Sequence, residues 1–138
     1  ADRILAELRG GETSIPAMVE RMYAAVDKRL HPDVKLGNGP TILRGANANR
    51  KLADRLVAQA VEYKIPYQIE VYGGGTGTDA NAMQVNRAGM ITGLVGIPLR
   101  YMHTPCEIVS LADADNAAEL MARTAASVKP GESWIPGN

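Results

Sequence analysis

The side chains best suited to chemistry in this sequence surround His103, one of two histidines in the chain. Arg100 and Tyr101 precede it closely, and Cys106 follows three residues later. An imidazole nitrogen is a common zinc ligand, but a lone histidine is more often structural. Both interpretations stay open for His103. His31, which precedes a proline, is the weaker candidate.

A second candidate is the glycine-rich segment 73–78, which runs from a predicted strand into a predicted helix. Backbone amides at such a turn can hold a carboxylate or a phosphate. The lysine of a Walker loop is absent, and Asp79 puts negative charge where a phosphate would lie. The segment is therefore an ordinary turn or a small-anion site, for which Arg100 would supply the positive charge.

Other catalytic patterns are missing from the sequence. It contains no HExxH zinc motif, no GxSxG elbow and no cysteine pair. Cys106 is therefore interpreted as a small hydrophobic residue rather than a nucleophile. A single cysteine also rules out an internal disulfide, which favours a reducing compartment and predicts a cytoplasmic location.

The elements that position these residues are predicted from hydrophobic periodicity. Helices are expected over 4–8, 14–30 and 48–63, from Asp79 onward, and from Ser110 to about Val128. The helix that begins at Asp79 is expected to turn Ala82, Met83 and Val85 inward. Strands are expected over 67–71, 91–97 and 107–109, and over 34–38 and 41–43 as two short strands or one interrupted strand. Asn47 or Asn49 can cap the third helix, and Ser110 with Asp113 forms a capping-box pattern. This alternation predicts an α/β domain, layered as an α/β/α sandwich on a mixed or mostly parallel sheet.

Composition limits the possible partners. The chain has 138 residues, of which 46% are hydrophobic, and its 15 basic and 15 acidic residues cancel. One compact domain is expected, with no electrostatic attraction to nucleic acid or an anionic membrane. The apolar runs are far shorter than the roughly 20 residues that span a bilayer. Residues 130–138 are predicted to form a tail, in which Trp134 docks on the domain or on a neighbour.

Four motifs follow one another between Lys35 and about Val128: KLGNGP at 35–40, IPYQ at 65–68, GTGTDANA at 75–82 and GIPLRYMHTP at 96–105. Together they resemble the C-terminal part of the tetrahedral aminopeptidase family, which includes glutamyl aminopeptidases and proteins called cellulase M or endoglucanase. The resemblance implies a cytosolic, dinuclear zinc or cobalt exopeptidase with an α/β/α catalytic domain, an inserted β-rich domain and a dodecameric tetrahedral assembly.

The resemblance also implies roles for individual residues. His103 aligns with a metal ligand of the family, and Asp27 is a second candidate ligand. The implied substrate-binding residues are Thr76, Gly77, Thr78, Asp79, Arg100 and Tyr101. The hydrophobic pattern predicts an N-terminal helical segment over 1–34 and a tail over 130–138, and the resemblance implies that residues 35–129 form part of the catalytic domain. The family's histidine-x-aspartate pair, bridging aspartate and Glu-Glu pair have no counterpart in this sequence.

Three functions follow from these observations. In the first, the chain is part of a metal-dependent aminopeptidase that acts on peptides, as a homo-oligomer or together with a missing half. In the second, it is a non-catalytic, truncated relative that serves as an oligomerisation or regulatory module. In the third, it binds a small anion through the glycine-rich segment.

Overall fold

The computed structural model describes residues 33–135, in which five strands and three helices are found. In chain order they are β1 (Thr41–Gly45), α1 (Arg50–Glu62), β2 (Gln68–Tyr72), α2 (Ala80–Met83), β3 (Val95–Gly96), β4 (Leu99–Arg100), β5 (Ile108–Val109) and α3 (Leu111–Ala126). The helices predicted over 4–8 and 14–30 lie outside the described residues. Of the two stretches predicted around Gly39, only the second forms a strand.

The main sheet has the strand order β2-β1-β3. β1 and β2 are parallel and joined through α1, whereas β3 runs antiparallel to β1. β4 and β5 form a separate antiparallel pair. These elements confirm the predicted α/β fold with a mixed sheet.

The hydrophobic core lies between β1 and the two long helices. Ile42 is fully buried, and it clusters with Leu56 and Ala60 of α1 and with Leu120 of α3. These side chains repeat at helical spacing on α1, so one face of that helix covers the sheet. α1 therefore packs against β1, and α3 packs against α1 and β3.

The caps of the two long helices differ in part from the prediction. Asn49, rather than Asn47, caps α1 by accepting a hydrogen bond from the Leu52 N–H at 3.1 Å. Ser110 caps α3 as expected. The Asp113 carboxylate does not close a capping box, because its oxygens accept from the backbone N–H groups of Gly37 and Gly39.

Two predicted elements are much shorter than expected. α2 has only four residues, so it has no continuous apolar face, and Met83 and Val85 are exposed rather than inward. The strand predicted over 91–97 reduces to β3. β3 lies at the edge of the described sheet, and Ile91 and Ile97 on either side of it are exposed.

The tail docks on the domain itself. Asn49 donates from Nδ2 to the Trp134 carbonyl at 3.1 Å, and the Arg55 guanidinium lies 5.4 Å from the centre of the indole ring. Arg55 also forms a salt bridge with Glu132. Residues 132–134 thus contact the start of α1. No helix within residues 33–135 combines the length and the apolar character needed to cross a bilayer.

Candidate functional site

The glycine-rich segment lies at the carboxyl edge of the parallel strands. β1 and β2 end at Gly45 and Tyr72, which are paired in register. A Cβ on Gly45 would lie 1.8 Å from the Tyr72 carbonyl oxygen, so the close approach of the two strand ends requires glycine there. The segments that follow both strands therefore meet at one edge, where open α/β sheets commonly form ligand sites.

A buried asparagine joins these two segments. Asn47, in the turn after β1, is 4% exposed. Its Nδ2 donates to Thr76 Oγ1 at 2.9 Å and to Asn81 Oδ1, while its Oδ1 accepts from Gln84 Nε2 at 2.6 Å. We call these four residues the Asn47 cluster. They connect the turn after β1 to residues 73–79, hereafter the glycine loop, and to the helix that follows it.

Some polar groups of the glycine loop are hydrogen-bonded within the protein, and others are exposed to solvent. The Thr76 N–H donates to Asn81 Oδ1 at 3.2 Å, and the Thr76 and Thr78 hydroxyl groups lie 2.7 Å apart. Thr78 and Asp79 are exposed, and the Asp79 side chain makes no capping hydrogen bond to α2. The loop thus offers a hydroxyl group and a carboxylate to solvent. Because α2 has one turn, its dipole adds little to anion binding, which weakens the small-anion hypothesis.

His103 lies in the tight connection between β4 and β5, residues 101–107, hereafter the His103 loop. Tyr101 and His103 adopt left-handed conformations, with φ of 56° and 64°. Local hydrogen bonds hold this backbone: Thr104 Oγ1 donates to the Tyr101 carbonyl at 2.7 Å, and Glu107 accepts from the His103 N–H. Left-handed non-glycine residues are costly and often occur at functional sites. The His103 side chain is exposed and can reach a ligand from solvent.

The neighbours of His103 differ in exposure. Arg100 is 4% exposed, so its side chain lies within the protein, whereas Tyr101 is half-buried. Cys106, interpreted from the sequence as a small hydrophobic residue rather than a nucleophile, is exposed and lies outside the buried core. The roles implied for Arg100, Tyr101 and His103 stay predictions.

The described residues do not form a metal centre by themselves. Within 33–135, no group of three or more histidine, cysteine, aspartate or glutamate side chains is placed to hold a metal ion. His103 therefore belongs to no group of three candidate ligands in this part of the chain, and Asp27 lies outside the described residues. A catalytic zinc site usually needs three protein ligands.

Sequence reasoning missed the Asn47 cluster. The sequence predicts only a candidate helix cap for Asn47 and no role for Asn81 or Gln84. The available signal was the position of Asn47 just after a strand that runs parallel to the one before the glycine loop. That signal requires the strand order, which the sequence alone does not provide.

Comparison with known proteins places this arrangement among aminopeptidases. A sequence profile of the M42 glutamyl aminopeptidase family matches residues 13–120. Lysyl aminopeptidase of Pyrococcus furiosus is 42% identical over 96 residues, which are 70% of this chain and 28% of that protein. The residues that the family profile matches include both the glycine loop and the His103 loop.

Solved structures show the same likeness. An aminopeptidase from the archaeon Desulfurococcus kamchatkensis superposes with a TM-score of 0.65 and 36% identity, over 75% of this chain and 30% of its own. PhTET1-12s, solved as a dodecamer in the asymmetric unit, gives 0.54 and 31%, over 67% of this chain and 28% of its own. The chain thus spans less than a third of the length of these proteins.

Proposed function

The chain belongs to the M42 glutamyl aminopeptidase family, and on that basis we propose that it supplies the C-terminal part of the catalytic domain of a metal-dependent aminopeptidase. The observation that carries this proposal is the family match over residues 13–120, which includes both candidate loops. The proposed reaction is removal of amino-terminal residues from peptides. The proposed location is the cytoplasm, which the single cysteine favours.

His103 is proposed as one ligand of a zinc or cobalt centre. Its exposed side chain and the tightly held backbone of the His103 loop support this role. Since residues 33–135 contain no set of three ligands, the remaining ligands would come from outside this range. Asp27 is the proposed candidate within the chain.

The glycine loop is proposed to line the substrate site. Thr76, Gly77, Thr78 and Asp79 follow the carboxyl end of β2, where ligand sites form in such sheets. The exposed Asp79 carboxylate suits a positively charged peptide amino terminus, and backbone amides of the loop suit peptide carbonyls. Tyr101 is proposed to contact substrate, and the buried Arg100 to support the His103 loop from within.

The test of this proposal compares the two histidines. In the complete enzyme that contains this chain, we expect His103→Ala to lose bound metal and to lower hydrolysis of aminoacyl p-nitroanilides at least about 100-fold, because the substitution removes a direct metal ligand. His31→Ala is the control and should keep both properties. Metal content is measured by plasma mass spectrometry after equilibration with Zn²⁺ or Co²⁺. Full metal occupancy in His103→Ala would contradict the ligand assignment.

A non-catalytic module is the second candidate function. It is favoured by the lack of a three-ligand group within residues 33–135. In that case the purified protein would fold, bind neither zinc nor cobalt and hydrolyse no aminoacyl substrate. Measurable metal-dependent hydrolysis by the purified protein would eliminate this alternative.

Self-association is proposed for either function. Ile69, Val71 and Tyr72 on β2 are neighbouring apolar or aromatic side chains and are all exposed, Val71 by 76%. The dodecameric state of PhTET1-12s supports a homo-oligomer for this chain. A further protein segment that completes the catalytic domain is the alternative partner.

A further inference from the structure

We infer that Asn47 is a positioning residue, which holds the glycine loop in the conformation that receives substrate. The inference rests on the proposed substrate-binding role of that loop. Asn47 would not touch substrate, since its side chain is buried and acts through Thr76.

The first argument is that every polar atom of the Asn47 side chain is engaged. Its two N–H groups point to Thr76 Oγ1 and Asn81 Oδ1, and its oxygen accepts from Gln84. Buried polar groups are almost always paired, because an unpaired one carries a desolvation cost. Any movement of Thr76 away from the sheet edge would leave a buried N–H without a partner. The pairing therefore opposes loop displacement.

The second argument is that Asn47 is anchored while the loop is not. The Asn47 carbonyl accepts from the buried Thr92 hydroxyl at 2.9 Å. Its turn is closed onto β1 by the hydrogen bond from the Ala48 N–H to the Gly45 carbonyl, at 3.2 Å. By contrast, the glycine loop begins with three consecutive glycines, which impose little conformational restriction. The constraint on the loop must come from outside it, and Asn47 provides it.

The third argument is the direction of the hydrogen bonds. Position 47 must donate, because Asn81 Oδ1 also accepts from the Thr76 N–H and so faces Asn47 as an acceptor. Position 81 needs only to accept these bonds. An aspartate has the shape of asparagine but donates nothing when ionised. The arrangement thus predicts opposite outcomes for the same substitution at the two positions.

The test is hydrogen exchange of the full chain, followed by mass spectrometry or NMR, in three variants. Asn47→Asp should raise exchange of the Thr76 amide and its loop neighbours about tenfold, the effect of losing one to two buried hydrogen bonds. Asn81→Asp retains the acceptor and should stay within about twofold of the unchanged protein. Asn49→Asp is the matched control, because it makes the same chemical change two residues away, retains the α1 cap and loses only the hydrogen bond to the Trp134 carbonyl in the tail.

Two results would overturn the inference. One is unchanged exchange of the loop in Asn47→Asp. The other is an equal rise in α1, α3 and the loop, which would show that Asn47 supports the whole domain rather than the loop.

A second measurement separates this inference from the proposed function. Trialanine, which has a free amino terminus, is titrated into the labelled protein while the Thr76 amide signal is followed. We expect binding in the unchanged protein and at least about tenfold weaker binding in Asn47→Asp. Binding to neither protein, together with the local rise in exchange, would refute the substrate-binding role of the loop and leave the positioning role of Asn47 supported.

Discussion

Asp113 is fully buried, and its carboxylate accepts two hydrogen bonds from backbone N–H groups. Its oxygens accept from the N–H groups of Gly37 at 2.7 Å and Gly39 at 2.8 Å. We expect Asp113→Ala to lower the free energy of unfolding by about 3 kcal/mol, because it removes the acceptor for both N–H groups. Urea denaturation measures the change. Asp115→Ala, an exposed position on the same helix, is the control and should stay within about 0.5 kcal/mol; equal losses would contradict the role of Asp113.

The functions of single residues were the least predictable part of the chain. Ser110 was identified correctly as a cap because capping depends on the neighbouring sequence alone. Asp113 was assigned to the same cap, but its partners lie more than seventy residues away in the chain. Asn47 was missed for the same reason, since its partners Thr76 and Asn81 follow another strand. Long-range hydrogen bonds leave no local pattern in the sequence.

At the scale of elements, the tail is held by an ion pair with a defined pH dependence. The Lys129 N–H donates to Glu132 at 3.3 Å, and Arg55 pairs with the same carboxylate, so the pKa of Glu132 lies below its usual range. Because the pKa of Glu132 is lowered in the folded protein, the ionised carboxylate stabilises the docked tail. This stabilisation is fully present above the ordinary glutamate pKa and is lost as pH falls through the lowered value. We therefore expect acid to release the tail.

Trp134 reports this release directly because it is the single tryptophan of the chain. Its emission should shift to longer wavelength as pH falls below the range in which Glu132 is ionised, and Glu132→Gln should show the shifted emission already at neutral pH. Glu119→Gln removes a different ion pair, with Arg123, and is the control. An identical emission in Glu132→Gln and in the unchanged protein would show that the ion pair does not hold the tail.

Element length decided how well the sequence predicted structure. α1 and α3 were located within a few residues, because 13 and 16 residues repeat the apolar period several times. α2 and β3 were overestimated, since four and two residues cannot define a period. The apolar run over 91–97 predicts a buried strand, but β3 lies at the edge of the described sheet.

At the scale of the whole molecule, alternating helices and strands were sufficient to predict the α/β class. The sequence did not predict that β3 runs antiparallel to β1, because strand direction depends on how the chain crosses the sheet. Strand order and direction also decide which residues meet at a sheet edge. Asn47 and the glycine loop lie together because β1 and β2 are adjacent and parallel, and the sequence does not specify that pairing.

The unpaired edge of β2 predicts how copies of the protein associate. β2 pairs only with β1 in the described sheet, and its Ile69, Val71 and Tyr72 side chains are exposed by 40%, 76% and 45%. An open, apolar edge strand is a common site of strand pairing between chains, and a lysine on such an edge opposes it. We expect the protein to self-associate and Val71→Lys to shift it towards monomer.

Light scattering coupled to size-exclusion chromatography, over a series of protein concentrations, measures this shift. Leu111→Lys is the matched control, because it places the same charge on an equally exposed apolar residue that begins a helix. A shift towards monomer in Val71→Lys alone would locate the contact between chains at β2, because strand pairing requires the β2 edge. Non-specific hydrophobic association does not require that edge. Equal shifts in both variants would refute pairing at β2 and indicate that exposed apolar area as a whole drives association.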